Sequence, residues 1–330
     1  MGVSFDGDDA VVSGLADMIR WIQVSGADEG VKKKSKNGAV FLCVFAALRF
    51  KNSFQMENET SNGTNRGNAV ELYARDLGGK GRAPLVLLHG LLGSTRNWQT
   101  TGADLAHAGA AHIIALDLRN HGKSPHTDTM TYDEMVADVV AWLDARGLMR
   151  VLLMGHSMGG KVAMALACRH PHRIARLIVV DIAPKEYQSL SHRAELAAMN
   201  ELDLRVIRRR EEAELHFESR VSDPSMRKFL VTNLKRDHET GGLVWMPNVA
   251  GITAALPGLE ENPLRRGEMF EGDTLFVAGG KSNYVEEDDR TTIMRHFPNA
   301  RIETLVDSGH NPHMEAREEF VQVVTTFLKR

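Results

Sequence analysis

The stretch Val151 to Gly160, reading VLLMGHSMGG, constrains this chain more than any other, because it compresses an apolar strand, a Gly-x-Ser-x-Gly turn and a helix start into one short segment. Val151 to Met154 is an uninterrupted apolar run, the pattern of a strand buried on both faces of a parallel sheet. Gly155 and Gly159 flank His156-Ser157-Met158 at the two positions where a side chain would obstruct a sharp strand-to-helix turn. Ser157 is therefore expected on a strained apex, its hydroxyl exposed and the Met158 amide facing the same space. That geometry suits covalent catalysis. In a chain with 29 glycines the motif alone is a weak signal, and a plain glycine turn would also satisfy it. A plain turn, however, needs no partners elsewhere in the chain.

The 330 residues are 43% hydrophobic and 25% charged, which suits one large core plus an insertion. The formal net charge is −3 with both signs interspersed, so the chain lacks the basic face of a nucleic-acid binder and global charge does not steer a substrate. Two cysteines, Cys43 and Cys168, form no disulfide framework and suit a reducing, cytoplasmic setting; Cys168 falls in an apolar run and is expected to be a buried thiol.

Residues 1–68 differ in character. They carry scattered acids, the run Lys32-Lys33-Lys34-Ser35-Lys36, an apolar segment from Gly38 to Leu48 and a polar stretch to Asn68. They read as an extension outside the core, poorly ordered or preceding a later start at Met18 or Met56. The apolar segment falls short of the roughly 20 residues that span a bilayer, so no stable membrane insertion is expected, and it lies too far along for a signal peptide. Sequons at Asn58 and Asn62 have meaning only in a secreted chain.

From Ala69 onward strands and helices alternate, the signature of a mainly parallel sheet with helices on both faces. The expected strands are Ala69 to Leu77, Pro84 to His89, His112 to Asp117, the segment before Ser157, Leu177 to Asp181, Thr274 to Ala278 and Arg301 to Val306. Tyr132 to Arg146 and Glu315 to Leu328 have helical periodicity. About ninety residues between Asp181 and Thr274 are too many for a plain connection. We read an α/β core over 69–184 and 269–330 with a helical lid over 185–268, inserted after the sixth strand. Asp223-Pro224 is a good helix start, and Arg208 with Glu212 reads as a solvated helix pair.

A serine hydroxyl needs a base, an acid to orient the base, and donors for the oxyanion. His310, in Asp307-Ser308-Gly309-His310 after the last strand, fits the Ser, acid, His order. His313 is its rival, and a His-x-x-His metal pair lacks a third ligand, so no metal is expected. The loop after Thr274 to Ala278 reads Gly279-Gly280-Lys281-Ser282 and has no carboxylate, so Asp181 at the preceding strand tip is preferred over Glu286 and Asp288. His89-Gly90-Leu91-Leu92-Gly93-Ser94 follows the second strand and would supply a second oxyanion amide, from Leu91, beside that of Met158. His89 reads as a loop-fixing residue, and Asp117 to Ser124 as a polar turn supporting the same loop.

Together HGLLGS (His89 to Ser94), DLRNHGKSP (Asp117 to Pro125), GHSMGGKVAM (Gly155 to Met164), VDIAPKEY (Val180 to Tyr187) and GGKSNYV (Gly279 to Val285) resemble the α/β-hydrolase superfamily, and within it the YbfF-like esterase branch with its mitochondrial abhydrolase relatives. The resemblance runs from about Ala69 to Lys329. It implies an α/β-hydrolase fold, a triad acid at Asp181, and a cofactor-free hydrolase of carboxylic esters or acyl thioesters.

The expected protein is a serine carboxylesterase with Ser157 as nucleophile, His310 as base, Asp181 as orienting acid, and short to medium acyl chains as substrate. Leu92, Phe229 and Trp245 are the substrate-binding candidates, with Met199, Leu202, Leu230 and Met246 behind them. A carbon-carbon hydrolase or lyase of the same superfamily would require a lid arginine facing Ser157. A non-catalytic binding protein would not require the triad.

Overall fold

The computed structural model describes residues 69–330. The expectations for the basic run, the apolar segment, Cys43 and the sequons lie outside the described residues.

Ala74–Gly78 (β1), Leu85–Leu88 (β2), Ile113–Leu116 (β3), Val151–His156 (β4), Ile174–Val180 (β5), Thr274–Gly279 (β8) and Ala300–Leu305 (β9) form one sheet in the order β1-β3-β2-β4-β5-β8-β9. β1 runs antiparallel to β3, and every other pair is parallel. Period-two alternation splits the central strands between two apolar layers. Val86, Leu88, Leu153, Leu177, Val179 and Phe276 enter one layer, with helices Tyr132–Ala145 (α2) and Met158–Arg169 (α3). Leu85, Leu87, Met154, Ile178, Val180 and Val277 enter the other, against Trp98, Leu105 of Gln99–His107 (α1), and Phe320, Val324 and Phe327 of Arg317–Leu328 (α10). Both faces of the sheet are covered, which is why these strands read as continuous apolar runs. Cys168 is free and half-buried, and burial pushes its thiol up to about 12.

α2 starts where Thr131 and Glu134 form a reciprocal capping box, the Thr131 hydroxyl accepting from the Glu134 amide and the Glu134 carboxylate from the Thr131 amide. The single closing helix expected from Glu315 is instead a short turn, Pro312–Glu315 (α9), followed by α10. Glu315 is the reason for the break: its carboxylate turns back to accept from the Gly309 and Asn311 amides, at 2.6 and 3.1 Å, and Ala316 leaves the helical region.

Between β5 and β8 lie Leu190–Glu201 (α4), Arg210–Phe217 (α5), Pro224–Val231 (α6) and Val249–Glu260 (α7), with an antiparallel ribbon of Leu234–Arg236 (β6) and Leu243–Trp245 (β7). Two expectations change here. The insertion follows the fifth strand of the described residues, not the sixth, since β1 to β5 match one to one the five strands expected before it; the first of them starts only at Ala74 because Val70 donates to Asp138 and Tyr73 to the Ser124 hydroxyl, both at 2.8 Å. The insertion is also not purely helical. Its strands are only three residues each, too short for a legible alternation, and their link is set by the Asp237 carboxylate, which accepts from the Glu239 and Thr240 amides. Asp223 caps α6 through the Ser225 amide. Glu212 pairs with the Arg209 side chain and takes only the backbone amide of Arg208.

Candidate active site

Ser157 sits between β4 and α3 with φ 51° and ψ −118°, a conformation costly for a residue with a side chain. The surrounding glycines make it attainable. A Cβ on Gly155 would stand 2.1 Å from the Gly159 carbonyl oxygen, and one on Gly159 would stand 2.5 Å from that of His89. The turn is therefore pressed against the end of β2, and the loop after β2 closes on the serine.

The structure brings Ser157, His310 and Asp181 together. His310 Nε2 lies 3.1 Å from the Ser157 hydroxyl, and its Nδ1 lies 2.8 Å from Asp181 Oδ2. Asp181, at the tip of β5, is 1% exposed and has φ 49°. The loop that lacks a carboxylate supplies donors instead: the Gly279 amide bonds Oδ1 at 2.8 Å and the Ser282 hydroxyl bonds Oδ2 at 2.5 Å. Glu286 and Asp288 lie elsewhere, at the entry to Asp289–His296 (α8), where the Glu286 amide donates to Asp289.

Leu91 and Met158 border the same cavity as Ser157, and no protein acceptor among the described residues takes either amide. Leu92 does not reach the cavity. It has φ 57° and a side chain 2% exposed; its amide donates to His121 Nε2 and its carbonyl accepts from Asn233. His89 accepts the Leu118 amide and donates to the Gly90 carbonyl, fixing the loop, while Asp117 accepts the Thr95 and Lys123 amides. Burial pulls His89 down to about 4 and His121 to about 3, so both rings stay neutral at pH 7.

Sequence reasoning missed His156. Its Nε2 donates to the His310 carbonyl at 2.8 Å, tying the elbow to the loop that carries His310. Burial, with His313 and His310 nearby, pushes its pKa well down. Its place inside Gly-His-Ser was visible, but its partner is 154 positions away. His313 is 1% exposed and packs against Trp98 and His156, with ring centroids 4.4 and 4.7 Å apart; burial lowers it to about 3. Tyr284 stacks on His310 at 3.8 Å.

The cavity over Ser157 lies between the sheet and the insertion and is open to solvent on one side. Leu91, Met158, Ile182, Leu256 and Leu259 form its apolar wall, and Tyr132, Tyr187, Tyr284, Ser189, His192, Lys161 and Glu260 the rest. Phe229 and Trp245 do not border it; both pack partly buried into the apolar layer of the insertion, Trp245 against Phe217. Helix α7 faces the serine in their stead. Lys161, one turn after Ser157, is 2% exposed and donates to the carbonyls of Leu259, Glu260 and Glu261 at 3.1, 3.1 and 2.6 Å, at the end of α7. Burial lowers its pKa to about 7, opposed by the Glu260, Glu186 and Glu261 carboxylates. Among the described residues, no three His, Cys, Asp or Glu side chains are arranged to hold a metal ion, and no helix is long and apolar enough to cross a membrane.

A parallel sheet, a serine on a strained strand-to-helix turn, and an acid and a histidine from later strand ends define an α/β hydrolase, and the chain belongs to that family: residues 83–317 match the α/β hydrolase fold model. Among its relatives is the sn-1-specific diacylglycerol lipase ABHD11 of Danio rerio, 37% identical over 257 residues, covering 76% of this chain and 80% of that protein. Esterase YbfF of Escherichia coli strain K12 is 32% identical over 249 residues, covering 74% and 93%. A solved structure, a marine microorganism esterase, superposes with a TM-score of 0.75 at 31% identity, covering 78% of this chain and 100% of that one. These relatives are of the branch to which the sequence motifs pointed.

Proposed function

We propose that the protein is a serine carboxylesterase. The observation that carries this reading is the continuous relay from the Ser157 hydroxyl through His310 to buried Asp181, at 3.1 and 2.8 Å. Ser157 attacks the acyl carbonyl as His310 Nε2 takes its proton, and the Leu91 and Met158 amides receive the oxyanion. His310 then protonates the departing alcohol, and water, deprotonated by the same nitrogen, releases the acid from the acyl-enzyme. Asp181 holds the imidazole with its proton on Nδ1 and stabilises the imidazolium. Residues 185–268 act as the lid over this site, and the residues before 69 as an extension to the catalytic core.

The alternative of carbon-carbon bond cleavage on an anionic substrate is less well supported. Among the described residues no arginine borders the cavity, and the lysine that does, Lys161, directs its ammonium at three backbone carbonyls. The apolar wall of Leu91, Met158, Ile182, Leu256 and Leu259 suits an acyl chain, which we take to be of short to medium length.

Initial rates on p-nitrophenyl esters from acetate to palmitate, with Ser157→Ala in parallel, test the proposal. Expected is turnover with an optimum below the long chains and a loss on the order of 10⁴ or more in Ser157→Ala. Folded wild-type protein inactive across the series would overturn it.

A further inference from the structure

The site contains a second histidine-carboxylate pair that the ester mechanism does not use. His192 and Glu195 lie on α4, and His192 Nδ1 stands 3.0 Å from the Glu195 carboxylate. Glu195 is 6% exposed and His192 20%, and His192 borders the same cavity as Ser157. An ionised carboxylate only accepts, so it fixes the imidazole proton on Nδ1 and turns Nε2 inward as a free acceptor. Nε2 lies 3.5 Å from the Tyr284 hydroxyl, at the outer limit of a hydrogen bond.

Accounting for the other polar groups of the cavity isolates this pair. Tyr132 donates to the Leu259 carbonyl, and Tyr187 donates to the Tyr284 carbonyl while accepting from the Ala183 amide. Lys161 spends its three N–H groups on carbonyls, and Glu260 accepts from the Ser189 amide and from Arg193. Ser189 accepts from the His192 amide, pairs with Ser191 and hydrogen-bonds to the Tyr284 hydroxyl. Among the described residues lining the cavity, His192 Nε2 has no partner nearer than the Tyr284 hydroxyl at 3.5 Å, and that hydroxyl, an acceptor toward the Ser189 side chain, still has its own proton to give.

Their position fixes which part of a substrate they would meet. The Tyr284 ring lies on the face of His310, the residue that hands its proton to the leaving alcohol, whereas the apolar wall of Leu256 and Leu259 is built by α7. Resting on the esterase reading above, we infer that His192, held by Glu195, together with Tyr284 forms a specificity subsite for a free hydroxyl on the alcohol portion of the ester. A hydroxyl both donates and accepts, so it can donate to Nε2 while receiving the Tyr284 proton. An alkyl group there leaves Nε2 and the Tyr284 proton unpaired in a partly dry pocket, which is where discrimination arises.

The test is a matched pair of near-isosteric esters, 2-hydroxyethyl butyrate and propyl butyrate, each kcat/KM divided by the rate of hydroxide-catalysed hydrolysis of the same ester. The wild type should favour the hydroxyl ester by about 5-fold on this normalised scale, one hydrogen bond's worth. His192→Phe should bring the ratio to about one, and Tyr284→Phe, which keeps the ring on His310, should bring it part of the way. A wild-type ratio at or below one overturns the inference without any variant, and so does an unchanged ratio in folded His192→Phe; in both cases turnover of propyl butyrate leaves the esterase reading standing. Absence of turnover on both esters by folded wild type overturns the two together.

Discussion

Around Ser157 the chain is held by backbone against backbone, whereas around α7 it is held by side chains reaching across the cavity. At the elbow, would-be Cβ atoms on Gly155 and Gly159 stand 2.1 and 2.5 Å from carbonyl oxygens, so no other residue fits without moving the sheet end. In the insertion, the ties are Lys161 to the end of α7, Tyr132 to the Leu259 carbonyl, and Asn233 to the Leu92 carbonyl. Steric ties of the first kind tolerate no substitution. Polar ties of the second kind weaken by degrees, so the catalytic side should respond to mutation in steps and the insertion in gradations.

The largest effect should come from the core. Asp181→Asn keeps the shape but reverses the hydrogen bonding to His310 and should lower kcat on the order of 10⁴. Asp288→Asn, at the exposed entry to α8, should stay within about twofold in the same assay; the reverse pattern would place the acid outside the sheet. On the insertion side, Lys161→Met removes the donors at the end of α7 and should cost about 2 kcal/mol in urea unfolding, with KM rising more than kcat falls. An unchanged KM would mean that α7 does not depend on that lysine.

The next effect separates the regions by pH. His89, His121, His156 and His313 are all in the core and have folded pKa values below the unfolded value of about 6.5, because burial disfavours the cation. Between about 4 and 6.5 the unfolded chain therefore binds more protons. Stability is fully present above about 6.5 and falls as pH drops through that window, by up to about 1.4 kcal/mol per pH unit for each ring. Urea midpoints at pH 7 and 5.5 should show the loss, and His313→Phe should flatten it, since the buried His313 Nδ1 has no hydrogen-bond partner to lose. An equal slope in that variant would remove His313 from the account. The smallest effect belongs to the insertion surface: Arg209→Ala, breaking a pair whose arginine is 69% exposed, should change stability by less than about 0.5 kcal/mol.

The central strands were legible because burial on both faces leaves runs such as Leu85–Leu88 and Leu275–Val277 almost without polar interruption. The ribbon was not, since three-residue strands carry too few alternations. The elbow was readable from two glycines because its sterics are local. Leu92 was misplaced because nothing local shows that its backbone enters the left-handed region, bonds His121 and Asn233, and buries its side chain in the apolar core. Phe229 and Trp245 were misplaced for a related reason: an apolar residue on a short helix or strand looks the same whether it faces a cavity or a neighbouring layer.

By itself the sequence determined the order of the core strands, the strained serine and the succession Ser157, Asp181, His310, because alternation, glycine sterics and strand ends are encoded within a few residues. Only the tertiary structure decided that Ser282 and Gly279 donate to Asp181, that His156 holds the His310 loop, and that α7 with Lys161 walls the cavity. Those contacts join positions about a hundred or more residues apart. Their formation depends on the angles at which layers pack, and no local pattern carries that information.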